Sequence, residues 1–436
     1  MRSSNAARAL CAFLLLTGLA FAAWAPPILA SSSSLDPTRN AVKELLRRFD
    51  NLPDGWRLRK HTAVPEAGFA PLGKKIGAEI LALTNDQLQT PYGVIRVNLI
   101  MGASDGDAER LHRAMLEVHK GNQLAVKRDG RTVVEFVAND IRPVREAAIV
   151  LGFEPRDATY RVGFQLAPLR KGNPADVNVA FNLLIRLAAN PDDTETRKRV
   201  EEYRDQFEFG RSIQLRLLGA DGKPGDWSVT PDAARRESWF HDDVVAYEFG
   251  DLPERAGVPY ATVEGTVRTS AFAITPSDRK KDVGLTAATT TWPSEDESIR
   301  ALASEIVGDA KTVPEKVERL LAWHRPGTNL NFGGRDTGSR HGFGAFHERK
   351  LGHCWDFSDS FITLARAVDV PCRQVAGWVD GMGGHVWAEV LREGEGWRQV
   401  DPTANGGCDA TYVPFFTTED GTMSVFYLAI PTIEKL

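Results

Sequence analysis

Val42, Leu45, Leu46 and Phe49 recur at helical spacing and predict a helix over residues 38–49. Runs at 75–83 and 93–101 predict strands. Residues 105–119 carry acidic side chains in their first turn and set Leu111, Met115 and Val118 on one face, which predicts a second helix. Leu124, Val126 and Arg128 lead into Asp129-Gly130, and Val133, Val134 and Phe136 leave it, the pattern of a hairpin with a tight two-residue turn. Pro143 opens another helix, ending at 151. This α-ββ-α-ββ-α order describes a small α+β module over 38–155.

The rhythm then changes to short strand-like runs at 161–166, 177–187, 212–218, 244–249 and 261–274, separated by turns such as Gly222-Lys223-Pro224-Gly225. Such spacing predicts a β-sandwich-like domain over 156–285, interrupted by a charged, helical insertion at 193–207. A polar stretch at 277–282 and a Thr-rich stretch at 286–293 form a linker. A third domain, 294–436, begins with a helix carrying Ile299, Leu302, Ala303 and Ile306. A second helix at 313–323 and a Gly-rich, His-containing loop at 326–347 follow. The fold class is therefore α+β throughout, without internal repeats.

Arg2 and Arg8 precede an apolar run at 9–24 that ends near small residues, the layout of a signal peptide (1–30) cleaved after Ala30. That run is shorter than the roughly 20 residues of a spanning helix. Cys11 has no small residue before it, so no lipid anchor is expected. No later stretch is long and apolar enough to cross a bilayer, and the mature chain is expected in the periplasm or outside the cell.

With 42% hydrophobic and 25% charged residues over 436 positions, the chain has globular composition and room for two or three domains. Its net charge of −5 becomes −7 without Arg2 and Arg8. No dense Lys/Arg stripe appears, which excludes nucleic acid as the principal partner. Removal of the leader leaves Cys354, Cys372 and Cys408. An odd number of thiols in an oxidising compartment leaves one unpaired within the chain.

The chemistry concentrates after residue 350. Phe357, Phe361, Leu364, Ala365 and Val368 keep a helical rhythm that places Cys354 at a helix N-terminus. Unpaired N–H groups there favour a thiolate and could hold an oxyanion. Pro371 stops the helix, and residues 373–378, 385–390 and 397–401 predict three strands. His385 and Asp401 are equidistant from residue 393, in the turn between the last two, so a hairpin brings imidazole and carboxylate side by side. Nucleophile, base and orienter are then all present.

Residues 294 to about 430 resemble the transglutaminase-like superfamily, whose core carries G-x-C, P-x-R, H-x-W-x-E-V and D-P-T. Here these stand as Gly352-His353-Cys354, Pro371-Cys372-Arg373, His385-Val386-Trp387-Ala388-Glu389-Val390 and Asp401-Pro402-Thr403. The resemblance implies a papain-like α+β core with the Cys helix packed on an antiparallel sheet. It also implies that Cys354, His385 and Asp401 are the catalytic residues. Papain-type spacing itself does not fit, since there His follows Cys by more than about a hundred residues. Residues before 294 show no family resemblance.

The expected reaction is cysteine-dependent acyl transfer through a thioester on a protein, peptide or peptidoglycan-peptide amide. Hydrolysis is favoured slightly over cross-linking, because the chain ends soon after Asp401 without the β-barrels of animal cross-linking enzymes. The chemistry calls for no cofactor. His341, His347, His353 and Asp356 match no common zinc spacing, so no metal is expected either. Cys372 and Cys408 are the pair available for a disulfide if Cys354 stays reduced. The competing reading is a non-catalytic cell-envelope scaffold with a vestigial thiol domain.

Overall fold

The computed structural model describes residues 37–436 apart from 54–55, 91–92, 120–124, 139–140, 172–182, 184–185, 188–189, 191, 205–206, 217–226, 234, 240–243, 256, 272–273, 278–282, 335–339 and 404–405. The expected leader, Cys11 and the turn at 222–225 lie outside the described residues. So does most of the strand expected at 177–187, of which Leu183, Arg186 and Leu187 are helical instead. The chain divides between Pro155 and Arg156 into two compact units.

The first unit runs α1 (Pro37–Leu46), β1 (Arg57–Lys60), α2 (Glu66–Ile76), β2 (Ile80–Thr90), β3 (Gly93–Gly102), α3 (Asp105–Val118), β4 (Val126–Asp129), β5 (Thr132–Val137) and α4 (Ile141–Val150). Its antiparallel sheet has the order β1-β2-β3-β5-β4. Leu45 and Ala147 pack with Val97 and Val134, while Phe69 and Leu111 pack with Ile100 and Val133, so both faces are covered. The strand expected at 75–83 begins only at Ile80. Gly77, at φ 74, closes α2 by donating to the Gly73 carbonyl, a left-handed cap that glycine accepts without strain. Asp129 pairs with Thr132, leaving Gly130 and Arg131 as the tight turn.

In the second unit β6 (Asp157–Lys171) is followed by α5 (Thr194–Arg204), β7 (Ser212–Leu215), β8 (Ser228–Thr230), β9 (Arg235–Trp239), β10 (Val244–Glu248), β11 (Ala261–Ser270) and β12 (Ile274–Pro276). β11 runs antiparallel along β6 from Ala261↔Leu166 to Ser270↔Asp157, and β8 pairs with β11. A second sheet has the order β9-β10-β7. Val162, Phe164 and Val263 of one sheet meet Ile213, Leu215 and Val245 of the other in one apolar cluster, the arrangement of a sandwich.

The thiol-bearing part contains α6 (Glu297–Val307), α7 (Val313–His324), α8 (Phe343–Arg349), α9 (Cys354–Ala367), β13 (Cys372–Val379), β14 (Gly383–Arg392), β15 (Gly396–Asp401), β16 (Tyr412–Thr418), β17 (Val425–Tyr427) and β18 (Thr432–Lys435). Its antiparallel sheet has the order β12-β15-β14-β13-β16. Phe361, Leu364 and Ala365 of α9 fill the space between Ile299 and Leu320 on the helices and Ala388 and Val390 on the sheet.

The division expected between 285 and 294 is not a gap between compact bodies. β17 and β18 pair with β6, and β12 pairs with β15. Trp355, Val413 and Phe415 share one cluster with Tyr160 and Phe164. Trp292 of the expected linker is fully buried, as is Leu285 just before it. Among the described residues, no helix is long and apolar enough to cross a membrane.

Candidate active site

Cys354 opens α9, half-buried. The helix start is fixed by Asp356, whose carboxylate accepts from the backbone N–H of His353 at 3.1 Å and of His341 at 2.8 Å. Asp356 thereby fills helix-end donors and pins the preceding loop to the helix. Gly352 is required by this closeness: a Cβ there would lie 2.5 Å from Asp356 Oδ2 and 2.8 Å from the Phe346 ring. Arg340 anchors the same loop, donating to Asp359 at 2.5 and 2.6 Å and lying 5.0 Å over the Trp355 ring.

His385 stands near the start of β14, paired with Gly377 of β13. Its Nε2 meets Asp401 Oδ2 at 2.8 Å, with Asp401 fully buried. The Cys354 side chain lies close enough to the ring to raise its pKa through charge and hydrogen bonding. The structure therefore brings the three predicted residues together. The register differs from the expected one, however. Arg392 pairs with Gly396 and Ala388 with Val400, so the hairpin is centred on Gly394 rather than on residue 393. Gly394 at φ 79 and Gly396 at φ 129 shape a three-residue loop. The imidazole thus reaches the carboxylate diagonally, within the reach of long side chains on neighbouring strands.

Asp401 has further donors. Thr403 supplies its backbone N–H at 2.8 Å and its hydroxyl at 2.7 Å to Oδ1, and the Tyr412 hydroxyl donates to Oδ2 at 2.6 Å. Burial alone would lower the His385 pKa, but the Asp401 charge and hydrogen bond, together with Cys354, lift it to about 10. Burial likewise opposes ionisation of Asp401, yet the His385 charge and the hydrogen bonds from His385, Tyr412 and Thr403 bring it down to about 2. The pair is therefore an imidazolium–carboxylate at neutral pH.

Other motif residues do structural work. Arg373 and Glu389 pair at 2.9 Å, and Arg216 approaches the other carboxylate oxygen of Glu389 at 2.5 Å, all three buried. Trp387 lies over Gly377, where a Cβ would sit 2.2 Å from its ring. None of Cys354, Cys372 and Cys408 is in a disulfide. Cys372 packs with Phe361 and Ile362, whereas Cys408 packs with Trp387 and Tyr412, so the expected Cys372–Cys408 pairing is not formed. Burial pushes the Cys372 thiol up to about 11 despite Arg366 nearby. His341 pairs with Asp356, while His347 bonds Ser360 and the His353 ring meets Phe332 edge-on.

Sequence reading missed Tyr412 and Arg340 and weighed Asp356 only against zinc-ligand spacing. Asp356 three positions after the helix start was a readable capping signal. Tyr412 carried no local signal, since only the sheet brings it to Asp401.

This α+β core brings a thiol, an imidazole and a carboxylate together. Residues 300–402 match the family model of the transglutaminase-like superfamily, so this stretch is a transglutaminase-like domain. Comparison with curated proteins gave no match. Among solved structures, the chain is similar to a candidate cysteine protease from Cytophaga hutchinsonii, with 14% identity, 64% of this chain and 90% of that one covered, and a TM-score of 0.39. It is also similar to the periplasmic domain of TgpA from Pseudomonas aeruginosa bound to ethylmercury, with 14% identity, 57% and 90% covered, and a TM-score of 0.26. A candidate protease from Parabacteroides distasonis shares 9% identity over 74% of this chain and 68% of that one, with a TM-score of 0.22. At such scores these are similarities only.

Proposed function

We propose that the protein is an exported cysteine-dependent enzyme that cleaves amide bonds of a protein, peptide or peptidoglycan-peptide substrate through a thioester. Cys354 is the nucleophile, His385 the proton carrier and Asp401 its orienter. The observation that carries this reading is the His385 ring bonded to Asp401 at 2.8 Å, with Cys354, at the start of α9, near enough to raise its pKa. Sγ of Cys354 attacks the carbonyl carbon, and the helix N-terminus faces the developing oxyanion. The C–N bond then breaks as the leaving nitrogen takes a proton from His385, through Nδ1, the nitrogen not bound to Asp401. The neutral ring next draws a proton from the attacking acceptor as the thioester opens. Water is the favoured acceptor because it needs no binding surface of its own. An amine acceptor would give cross-linking.

Mass spectrometry after exposure to an electrophilic peptide-amide probe is the direct test. Wild type is expected to gain the acyl mass on Cys354, and Cys354→Ala to gain none. Equal labelling of both would remove the site assignment and leave the scaffold reading. Export is checked separately by intact mass from the native host. A chain beginning near Ser31 is expected, and a retained Met1 would contradict it.

A further inference from the structure

We propose that Tyr412 is a positioning residue of this site, whose hydroxyl governs how much of the Asp401 charge reaches His385. The inference rests on the Cys354–His385–Asp401 reading. The two oxygens of Asp401 are held differently. Oδ1 is satisfied locally, by the amide and hydroxyl of Thr403 two positions along the chain. Oδ2 is shared between His385 Nε2 at 2.8 Å and the Tyr412 hydroxyl at 2.6 Å.

Tyr412 comes from β16, which lies beyond β14 and β13 from the strand that carries Asp401. Its ring lies 6.0 Å from the His385 ring, inclined at 70°, and 5.2 Å from Trp387, nearly perpendicular. With Asp401 fully buried, each donor on Oδ2 withdraws charge from the other. A tyrosine that merely needed an acceptor would be satisfied by either oxygen. This one sits on the oxygen that faces the imidazole.

Proton NMR of the His385 Nε2–H resonance tests the proposal without any substrate. Tyr412→Phe leaves Oδ2 to His385 alone, so the resonance is expected to move downfield. Replacement of Tyr412 by 3-fluorotyrosine keeps the hydroxyl and the packing but makes a stronger donor, so the resonance is expected to move upfield. That second variant keeps the test valid if Tyr412→Phe folds poorly. A resonance unchanged in 3-fluorotyrosine protein, or moving the same way in both variants, overturns the proposal. Amide-probe labelling of Cys354 on the same samples keeps the two readings apart. Loss of labelling in the wild type would sink the triad reading, whereas opposite resonance shifts speak to Tyr412 alone.

Discussion

Asp401 is fully buried and still ionised, because four donors surround its carboxylate. Its work in the proposed reaction is to orient and charge His385 without touching substrate. Cys354→Ala is therefore expected to abolish turnover, and His385→Ala nearly so, while Asp401→Asn should retain a residue of activity after a loss of roughly 10⁴-fold. Amide hydrolysis by the three variants checks this order, and an Asp401→Asn enzyme with wild-type turnover would remove the carboxylate from the mechanism. The same pair makes stability depend on pH. His385 rises to about 10 from 6.5, so its contribution is complete below pH 6.5 and disappears as pH climbs toward about 10. Asp401 falls to about 2 from 3.8, so its contribution is complete above pH 3.8 and is lost as pH drops toward about 2. The melting-temperature gap between wild type and Asp401→Asn should thus be widest between about pH 4 and 6.5 and narrow toward pH 10. A gap that stays constant from pH 7 to 10 would contradict the pairing. At this scale Cys354, His385 and Asp401 could be proposed from the sequence because each lies in a short motif. Tyr412 stayed hidden because its partner is eleven positions away across a sheet.

Helix α9 was readable from its apolar rhythm, whereas the register of β14 on β15 was not. The loop Glu393-Gly394-Glu395 contains one glycine and is followed by another, and either could have set the centre of the turn. Only tertiary packing selects among such alternatives. A different feature of α9 escaped sequence reading altogether. Ser360 lies between two imidazoles, His324 at 2.9 Å and His347 at 2.8 Å, and so joins α7, α8 and α9. Burial drives His324 down to about 3 and His347 to about 4, so both are neutral in the fold. Because each folded value lies below 6.5, the stability they permit is complete above pH 6.5 and declines as pH falls toward those values. Acidification is expected to loosen this three-helix junction, seen as faster amide exchange in α8 at pH 5 than at pH 7, after correction for intrinsic exchange. His324→Gln keeps a polar partner for Ser360 but does not titrate, so the fall in stability between pH 6.5 and 4 should be shallower. An equally steep fall would place the acid sensitivity elsewhere.

The strand rhythm of the middle region announced a sandwich, but nothing local in the sequence announced that the sandwich closes with β17 and β18 from the end of the chain. Pairings separated by more than 250 positions, such as Arg161 with Glu434, leave no periodic trace. The result is one compact unit that holds both the sandwich and the thiol-bearing part. One of its polar ties is Glu389, buried between Arg373 on β13 and Arg216, which follows β7. The Arg216 contact at 2.5 Å is one of charge rather than an aligned hydrogen bond. Glu389→Gln leaves two buried guanidiniums without their carboxylate, and a loss of about 3–5 kcal/mol is expected. Arg216→Met leaves Glu389 paired with Arg373 and replaces the buried stem with apolar volume, so its loss should be clearly smaller. Chemical denaturation of residues 156–436 measures both. Wild type should unfold in one transition, with the sandwich and the α9 region lost together, since Trp355, Val413 and Phe415 share their cluster with Phe164. By the same reasoning a fragment of residues 294–436 should not fold alone, because those side chains would be bared and β17 and β18 would lose β6. A cooperative melt from that fragment, or equal losses for Glu389→Gln and Arg216→Met, would show that the thiol-bearing part is independent and that the buried ion pairs do not bind it to the sandwich.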